Sequence, residues 1–460
     1  MDIQEMMKEM EKIFKPYETS EMSFREIPEK GVEKTTILTE MEKIISKESE
    51  KWKEGKVSGA VYHGGIEHIE FSNSVMALAS QNNPLHPDVW PSSLKFEREI
   101  VSMVTRMLHG DDFVRGSITS GGTESILLAV KTYRDMAKVE RGIKEPEIIY
   151  PKSAHAAFEK ACQYFGIRGV VTGLRDDFSA DPEDIKEKIT KNTIGIVASA
   201  PCFPYGVIDP ISDISRIAED KGIPFHVDAC LGGFLLPWAK EIGADVPDFD
   251  FSLPGVTSIS IDTHKYGFAP KGTSVVLYRN SEIIKHQYFA TSGWTGGIYF
   301  SPTMAGSRPG ALPAAAWASM LEMGKSGYRE GARRILETTS KIRKYVESMD
   351  ELTLLGKSHF VVAFTSKKLN IYQIMEKMSE KGWSLNGLNH PPGVHFAVTL
   401  AHTRDGVPEK FDSDLRKSIE EVEKNPGEET GTAPVYGMAA TFPEDAINEL
   451  IKSVVEWMYS

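Results

Sequence analysis

Four short segments of this 460-residue chain carry residue types that could act together on one small molecule. In chain order they are a glycine-rich run at 116–125, His155, Asp228 and Lys265. Each lies at or just beyond the end of a predicted strand, which is where open α/β sheets place their sites. Taken singly, every one of them also has an ordinary structural explanation, so only their combination is informative.

The glycine-rich run, GSITSGGTES at 116–125, leads straight into a predicted helix. Its small residues let backbone N–H groups approach an anion, and the helix N-terminus adds partial positive charge. A plain loop before a capped helix explains the same residues equally well. The run is not a Walker phosphate loop, because it lacks the GKS or GKT of that motif. It is not a nucleophile elbow, because Ile118 occupies a position that requires glycine.

His155 and Asp228 each follow a predicted strand. A lone histidine is more often a satisfied loop or core residue than a functional one. Asp228 comes directly after a buried apolar strand, where a carboxylate needs a cationic or hydrogen-bonding partner. A protonated pyridine nitrogen would be such a partner, and the ion pair would let the ring accept electrons. A helix N-cap or a structural hydrogen bond remains the alternative for Asp228.

Lys265 ends the segment SISIDTHK at 258–265. Most lysines are solvated, yet this one follows an isoleucine-alternating strand and has Asp, Thr and His beside it. A lysine in a crowded, desolvated pocket loses proton affinity and becomes a nucleophile for aldehydes. We therefore expect a depressed pKa for Lys265. One cofactor, pyridoxal 5′-phosphate, explains all four segments together.

The elements that must position these residues follow an α/β pattern. From about residue 93 to 325, amphipathic helices alternate with short runs rich in Ile and Val, which predicts βαβ units and a mainly parallel sheet covered on both faces. A helix is predicted over 124–139, after the glycine-rich run. The predicted strands are 147–150, 193–199, 224–227, 258–261 and 273–278.

The whole chain divides into three predicted parts. These are an N-terminal helical segment at 1–75, a large cofactor-binding domain at 76–328 and a smaller α+β domain at 329–460. Met6, Met10, Ile13 and Phe14 predict an amphipathic helix at the start of the chain. A long helical pattern at 311–348 joins the two domains. The small domain is predicted to hold strands at 360–364, 395–400 and 436–440 and helices at 372–381 and 444–458.

Composition limits the class of protein. Apolar residues make up 41% and charged residues 26%, which is typical of a globular chain. The net charge of −12 argues against nucleic acid or an anionic membrane surface as a partner, although local basic groups could still bind a phosphorylated small molecule. The three cysteines form no close pair, so we expect neither a disulfide scaffold nor a CxxC site, and the cytoplasm is the default location. No apolar run reaches the length of a membrane span, so no transmembrane anchor is expected.

The motifs resemble those of the pyridoxal-phosphate enzymes of aspartate-aminotransferase fold (fold type I), in the branch that contains amino-acid decarboxylases. Within that branch they are most similar to the sphingosine-1-phosphate lyases, over a stretch from about residue 62 to beyond 400. NPLHPD at 83–88, GSRPG at 306–310 and Cys230 look like the lyases, whereas decarboxylases share the histidine–lysine pair and the aspartate. The phrases that carry the resemblance are NPLHPD, TSGGTES at 119–125, HVDACLGGF at 226–234, DTHK at 262–265 and AGSRPG at 305–310.

The resemblance implies a large domain with a seven-stranded sheet and assigns a role to each matching residue. Lys265 would bind the cofactor aldehyde as an imine, Asp228 would pair with the pyridine nitrogen, and His155 would stack on the ring. The cofactor phosphate would be held by Gly122, Thr123 and His264, with Ser307 supplied by the second subunit of a homodimer with shared active sites. The residues implied in substrate contact or catalysis are Asn83, His86, Lys271, Tyr205 and Tyr62. Lys265, His264 and Tyr62 are the candidates for proton transfer, and no metal is expected.

The resemblance also implies the reaction: retro-aldol cleavage of a phosphorylated amino-alcohol lipid, sphingosine 1-phosphate, to a long-chain aldehyde and phosphoethanolamine. An amino-acid decarboxylase acting on tyrosine, glutamate or aspartate is the main alternative, and a transaminase or cysteine desulfurase is less favoured. A zinc hydrolase using His63, Glu67 and His68 is an alternative of another class, but that spacing does not match HExxH.

Overall fold

The computed structural model describes residue 11 and residues 14–17, 23–426 and 443–460. The predicted strand at 436–440 and most of the predicted N-terminal amphipathic helix lie outside the described residues.

The large domain is built on a sheet that has seven strands among the described residues, in the order β1-β7-β6-β5-β4-β2-β3. β7 runs antiparallel to both of its neighbours, and the remaining pairs are parallel. The predicted α/β fold with a mainly parallel sheet is therefore confirmed. The strands are β1 Arg115–Thr119, β2 Glu147–Pro151, β3 Arg168–Thr172, β4 Thr193–Ser199, β5 Phe225–Asp228, β6 Ser258–Ile261 and β7 Ser274–Tyr278.

The central strands are buried along their whole length. β4, β5, β6 and β7 show no alternation of exposed and buried residues, because helices cover both faces of the sheet. Polar side chains on these strands therefore cannot reach solvent and must find partners inside the protein. No bounds were predicted from the sequence for strands β1 and β3, because both are short and contain glycine and polar residues.

Helices flank the sheet, and the helix predicted over 124–139 is confirmed as α4. That helix ends at Gly142, whose φ of 63° is the left-handed conformation that glycine adopts most easily. A two-stranded hairpin, β8 Phe289–Thr291 and β9 Tyr299–Ser301, follows the main sheet. The helices are α1 Lys34–Lys53, α2 Ile66–Leu78, α3 Pro91–Met107, α4 Gly122–Arg141, α5 Ala157–Phe165, α6 Pro182–Glu187, α7 Ile211–Lys221, α8 Leu236–Glu241 and α9 Ser281–Ile284.

The long helix α10, Ala311–Glu347, leads from the large domain into the C-terminal region and breaks at Gly324, where φ is 54°. A four-stranded antiparallel sheet of order β10-β11-β13-β12 follows, and Trp383 packs between Phe396 and Phe411 in its core. The predicted α+β character is confirmed, although the strand predicted at 395–400 begins three residues earlier, as β13. The elements are β10 Leu352–Leu355, β11 Val361–Ser366, α11 Ile371–Glu380, β12 Asn386–Asn389, β13 Pro392–Ala397, α12 Val407–Lys424 and α13 Glu444–Tyr459.

The three predicted parts, bounded at 75/76 and 328/329, stay predictions. Among the described residues, every helix is either too short or too polar to cross a lipid bilayer.

Candidate active site

The four segments meet at one cavity of about 360 Å³. The ends of β1, β5 and β6 and the start of α4 surround it, because the strand order places β5 and β6 side by side with β1 two strands away. Neighbouring parallel strands end at the same edge of a sheet, so residues that are distant in the chain meet there. The walls are formed mainly by residues 120–124, His155, Phe203, Asp228, Cys230, Asp262, His264 and Lys265.

Lys265 forms an ion pair in this cavity. Its Nζ lies 2.9 Å from the Oδ2 of Asp262, which is almost fully buried. Burial lowers the pKa of Lys265, but the charge of Asp262 and the hydrogen bond to it outweigh burial, and the pKa is raised above its ordinary value. The expectation of a depressed pKa is therefore wrong. The spacing of three residues between Asp262 and Lys265 was the available signal for this pair.

Asp228 lies at the floor of the cavity and is 7% exposed. Its Oδ1 accepts hydrogen bonds from the backbone N–H of Cys230 at 3.0 Å and from the hydroxyl of Ser260 at 3.4 Å. The contact with Cys230 is the structural hydrogen bond that was the alternative explanation for this aspartate. Both of these hydrogen bonds go to Oδ1, so the Oδ2 of Asp228 can still accept a hydrogen bond from a cationic donor.

The start of α4 is shaped to receive an anion. The helix has no side-chain hydrogen bond at its N-cap, Gly121, so first-turn N–H groups remain for a ligand. A Cβ atom at Gly122 would lie 2.9 Å from the Oδ1 of Asp262 and 2.9 Å from the Sγ of Cys230, which is closer than real Cβ contacts come. Glycine at position 122 is therefore required for the backbone to lie this close to the floor of the cavity.

These features fit pyridoxal phosphate. The cavity offers an amine for an aldehyde, a buried carboxylate for a protonated ring nitrogen and an uncapped helix N-terminus for a phosphate. In addition, the Oδ1 of Asp262 is buried without a hydrogen-bond partner, and such atoms are uncommon in native proteins. A polar ligand in the cavity is the simplest way to satisfy it.

Two histidines line the cavity in different ways. His155 is exposed, and its Nδ1 accepts a hydrogen bond from the N–H of Ala157 at 3.1 Å, so the hydrogen of the neutral ring is on Nε2. His264 donates from Nδ1 to the carbonyl oxygen of Thr273 at 2.5 Å, and its Nε2 lies 3.7 Å from Asp262. Burial lowers the pKa of His264, so its ring is neutral and Nε2 carries a lone pair.

Tyr62 and Lys271 form a pair beside the cavity. The Nζ of Lys271 lies 4.6 Å from the centre of the Tyr62 ring, and that ring packs edge-on against Tyr266 at 5.0 Å. Burial raises the pKa of Tyr62 to about 12, although the charge of Lys265 opposes this. Burial and the charge of Lys265 lower the pKa of Lys271 to about 8. The Tyr62 phenol therefore keeps its proton at neutral pH, whereas Lys271 loses its proton at a pH only slightly above neutral.

Asn83 and Ser307 lie together outside the walls of the cavity. The Nδ2 of Asn83 donates to the Oγ of Ser307 at 3.0 Å, and its Oδ1 accepts from the N–H of Arg308 at 3.3 Å. The N–H of Met304 donates to the Oε1 of Glu124 at 2.9 Å, which ties this loop to the first turn of α4. The loop with Ser307 is therefore anchored next to the helix that borders the cavity.

His86 and Tyr205 are also outside the cavity walls. His86 is exposed, and its ring centre lies 6.4 Å from that of Trp90. Tyr205 is buried, and its hydroxyl donates to the carbonyl oxygen of His390 at 2.5 Å. Their roles in substrate binding stay predictions.

The zinc alternative loses support. Both ring nitrogens of His68 are engaged, Nδ1 with Glu322 at 2.8 Å and Nε2 with the carbonyl oxygen of Phe268 at 2.9 Å. The part of the chain that the structure describes contains no group of three or more His, Cys, Asp or Glu side chains that could hold a metal ion.

Known proteins are similar to this chain over most of its length. Residues 16–367 match the model of the pyridoxal-dependent decarboxylase conserved domain. The chain is 46% identical over 444 residues to the sphingosine-1-phosphate lyase of Arabidopsis thaliana, covering 94% of this chain and 81% of that protein. The structure of the Burkholderia pseudomallei sphingosine-1-phosphate lyase aligns with a TM-score of 0.86 and 42% identity, over 88% of this chain and 95% of that chain.

A glutamate decarboxylase from Lactobacillus brevis aligns with a TM-score of 0.75 but only 19% identity, over 88% of this chain and 96% of that chain. At this identity the likeness concerns the fold alone.

Proposed function

Because this chain belongs to the sphingosine-1-phosphate lyase family of pyridoxal-dependent decarboxylases, we propose that it cleaves phosphorylated sphingoid bases to a long-chain aldehyde and phosphoethanolamine. The enzyme is a carbon–carbon lyase that depends on pyridoxal phosphate. One observation carries the proposal: a cavity with Lys265, Asp228 and an uncapped helix start occurs in a chain that is 46% identical to a lyase and only 19% identical to a glutamate decarboxylase.

Each part of the cavity has its function in holding the cofactor. Lys265 binds its aldehyde, Asp228 pairs with its ring nitrogen, and His155 covers its ring. Gly122 and Thr123 at the start of α4 would hold its phosphate, whereas the neutral Nε2 of His264 has no hydrogen to donate to a phosphate and is left for proton transfer. When bound, pyridoxal phosphate supplies a ring that accepts the electrons of the broken bond.

The protonation states of the side chains suggest how protons move. The bond between the amino carbon and the hydroxyl carbon breaks when the hydroxyl loses its proton. The Nε2 of His264 is the candidate acceptor, because Nδ1 donates to Thr273 and leaves a lone pair on Nε2. The Nζ of Lys265 and the hydroxyl of Tyr62 hold their protons at neutral pH and are the candidate donors, since the pKa of each is raised.

The substrate phosphate is the second point of attachment. Lys271 supplies a positive charge beside Tyr62, and Asn83, His86 and Tyr205 are the further proposed contacts. Binding at both the amine and the phosphate would fix the orientation of the carbon–carbon bond, and the bond held perpendicular to the ring plane is the one that would break.

A substrate panel tests the proposal. The purified protein loaded with pyridoxal phosphate is incubated with sphingosine 1-phosphate, tyrosine, glutamate and aspartate, and aldehyde and carbon dioxide are measured. We expect aldehyde and phosphoethanolamine from the lipid and no carbon dioxide from the amino acids. A Lys265→Ala variant is the control and should form neither product. Carbon dioxide from an amino acid, without aldehyde from the lipid, would show that the decarboxylase alternative is correct.

We propose in addition that the chain is a homodimer in which Ser307 serves the site of the other subunit. The hairpin β8–β9 supports this, because apolar side chains on and beside it are largely exposed: Phe289 57%, Trp294 57%, Ile298 81% and Phe300 56%. Sedimentation gives the assembly state. Mixing inactive Lys265→Ala and impaired Ser307→Ala chains should restore activity, since one site of the mixed dimer then has both residues. No recovery would contradict the shared site.

The cytoplasmic location expected from the sequence stays a prediction. It is supported by Cys162, Cys202 and Cys230, which are all buried and free of disulfides. Cell fractionation with an antibody against the chain would test it.

A further inference from the structure

A buried chain of polar side chains lies behind Asp228, on the side away from the cavity. It consists of Tyr133 from α4, Ser258 and Ser260 from β6 and His226 from β5, and we call these four residues the buried relay. All four are at most 1% exposed. The cross-strand register pairs His226 with Ser258 and Asp228 with Ser260, which fixes the order of the contacts.

The contacts of the buried relay are continuous. The Nδ1 of His226 lies 2.8 Å from the Oγ of Ser258, and its Nε2 lies 3.1 Å from the Oγ of Ser260. The Oγ of Ser260 lies 3.4 Å from the Oδ1 of Asp228. Both nitrogens of a fully buried imidazole are therefore engaged by hydroxyl groups, and one of these hydroxyls reaches the carboxylate at the floor of the cavity.

The far end of the buried relay is anchored in the backbone. The hydroxyl of Tyr133 lies 2.5 Å from the Oγ of Ser258 and 2.7 Å from the Oγ1 of Thr257. Thr257 accepts from the N–H of Phe225 at 2.8 Å and can donate to the carbonyl oxygen of Phe225 at 3.0 Å. The Thr257 hydroxyl can donate either to that carbonyl oxygen or to Tyr133. The hydrogen bonds of the buried relay can therefore all be formed with the donors pointing in either of two directions along it.

The two directions differ at Asp228. In one, Tyr133 donates to Ser258, Ser258 to the Nδ1 of His226, the Nε2–H of His226 to Ser260, and Ser260 to Asp228. In the other, every donor is reversed, and Ser260 donates to His226 instead. Only the first direction gives the carboxylate a hydrogen bond from Ser260. An ionised Asp228 therefore selects the first direction, because a hydrogen bond to a charged group is stronger than one between neutral groups.

Of the described groups that surround Ser260, only His226 and Asp228 determine the direction of its hydrogen bond. Burial lowers the pKa of His226 to about 4, so the imidazole is neutral and changes tautomer rather than charge. Burial also raises the pKa of the nearby Cys230 thiol well above its usual range. The thiol keeps its proton and does not compete as an anion for the hydrogen of Ser260.

We propose that His226 is a positioning residue that acts through Ser260 to hold Asp228 ionised and aimed at the ring nitrogen of the cofactor. Polar side chains in fully buried strands are costly, and an apolar pair of similar volume would be no less stable. The relay instead supplies Asp228 with a donor on the side opposite the ring, which favours the carboxylate over the carboxylic acid. This inference rests on the proposed pairing of Asp228 with the ring nitrogen.

A pair of matched variants separates the proposal from a purely structural role. In His226→Gln the amide nitrogen can take the place of Nε2 and still donate to Ser260. In His226→Asn the amide reaches only the position of Nδ1 and cannot bond with Ser260. Ser260→Ala removes the hydroxyl with almost no change in volume and serves as the variant least prone to misfold.

The readout is the protonation state of the ring nitrogen. Each variant is loaded with pyridoxal phosphate labelled with 15N in the ring, and the nitrogen chemical shift and the visible absorbance are recorded at neutral pH. We expect a protonated nitrogen in the wild type and in His226→Gln, and a shift toward the unprotonated form in Ser260→Ala and His226→Asn. In the latter two, kcat should fall about ten- to hundredfold, with KM changed less than about twofold.

The outcomes are distinct. A ring nitrogen that stays protonated in Ser260→Ala, or identical behaviour of the Gln and Asn variants, would overturn the role of His226 and leave the proposed function intact. An unprotonated nitrogen in the wild type would instead overturn the pairing with Asp228 itself, and the inference with it.

Discussion

The Nζ of Lys265 lies 2.9 Å from the Oδ2 of Asp262, three residues earlier in the chain. An amine must lose its proton before it can attack an aldehyde, and this carboxylate favours the protonated amine. The ion pair therefore sets the pH at which Lys265 can bind pyridoxal phosphate.

Replacing Asp262 by Asn should make Lys265 reactive at lower pH. With the carboxylate gone, burial is the main influence on the amine, and burial lowers the pKa of Lys265. The pH midpoint for covalent capture of pyridoxal phosphate should fall, as measured by absorbance and borohydride trapping on mixing. Asp248→Asn, which breaks an exposed ion pair with Lys240, is the matched control and should leave the midpoint unchanged. An unchanged midpoint in Asp262→Asn would contradict the assignment.

Gly122→Ala should weaken cofactor binding. The added Cβ would lie 2.9 Å from both Asp262 and Cys230, so the floor of the cavity must shift. Overpacking of this kind costs about 1–3 kcal/mol, and we expect an affinity for pyridoxal phosphate lower by about tenfold or more, measured by fluorescence titration. Gly173→Ala is the control, because its added Cβ would lie 3.6 Å from its nearest neighbour, Asp184, which is an ordinary van der Waals contact. Equal affinities in the two variants would argue against the close approach at position 122.

Lys271 should make substrate capture dependent on pH. Its pKa is lowered to about 8, so its positive charge is present below that pH and is lost as the pH rises through it. The kcat/KM for a phosphorylated substrate should therefore fall above about pH 8, because this ratio reports the free enzyme. In Lys271→Arg the charge persists, and this decline should disappear. A decline of equal size in the Arg variant would mean that another group is responsible.

Arg308 should be important for stability. Its guanidinium donates two hydrogen bonds of 2.7 Å to Glu97, and each side chain is only 14% exposed. Arg308→Met leaves a buried carboxylate without its cation and should lower the free energy of unfolding by about 3 kcal/mol, measured by urea denaturation. The double variant Glu97→Leu/Arg308→Met should recover most of this loss. A loss below about 1 kcal/mol in the single variant would show that the pair behaves as an exposed one.

Much of the fold was accessible from the sequence alone. Strands β4 and β6 have the predicted bounds, because short segments rich in Ile or Val and bounded by turn or polar residues identify a strand without any tertiary information. The four motif segments and the family resemblance are likewise local properties of the chain. They predicted the fold class and the cofactor, and they singled out Lys265 and Asp228.

The tertiary structure alone decided what surrounds those residues. The pKa of Lys265 depends on the balance between burial and the charge of Asp262, and neither the distance nor the burial can be read from residue types. The contact of Asn83 with Ser307 joins residues 224 positions apart, and that of His226 with Ser260 depends on the register of two strands. Hydrogen bonds and charge interactions require particular distances between atoms, and only the folded chain sets those distances.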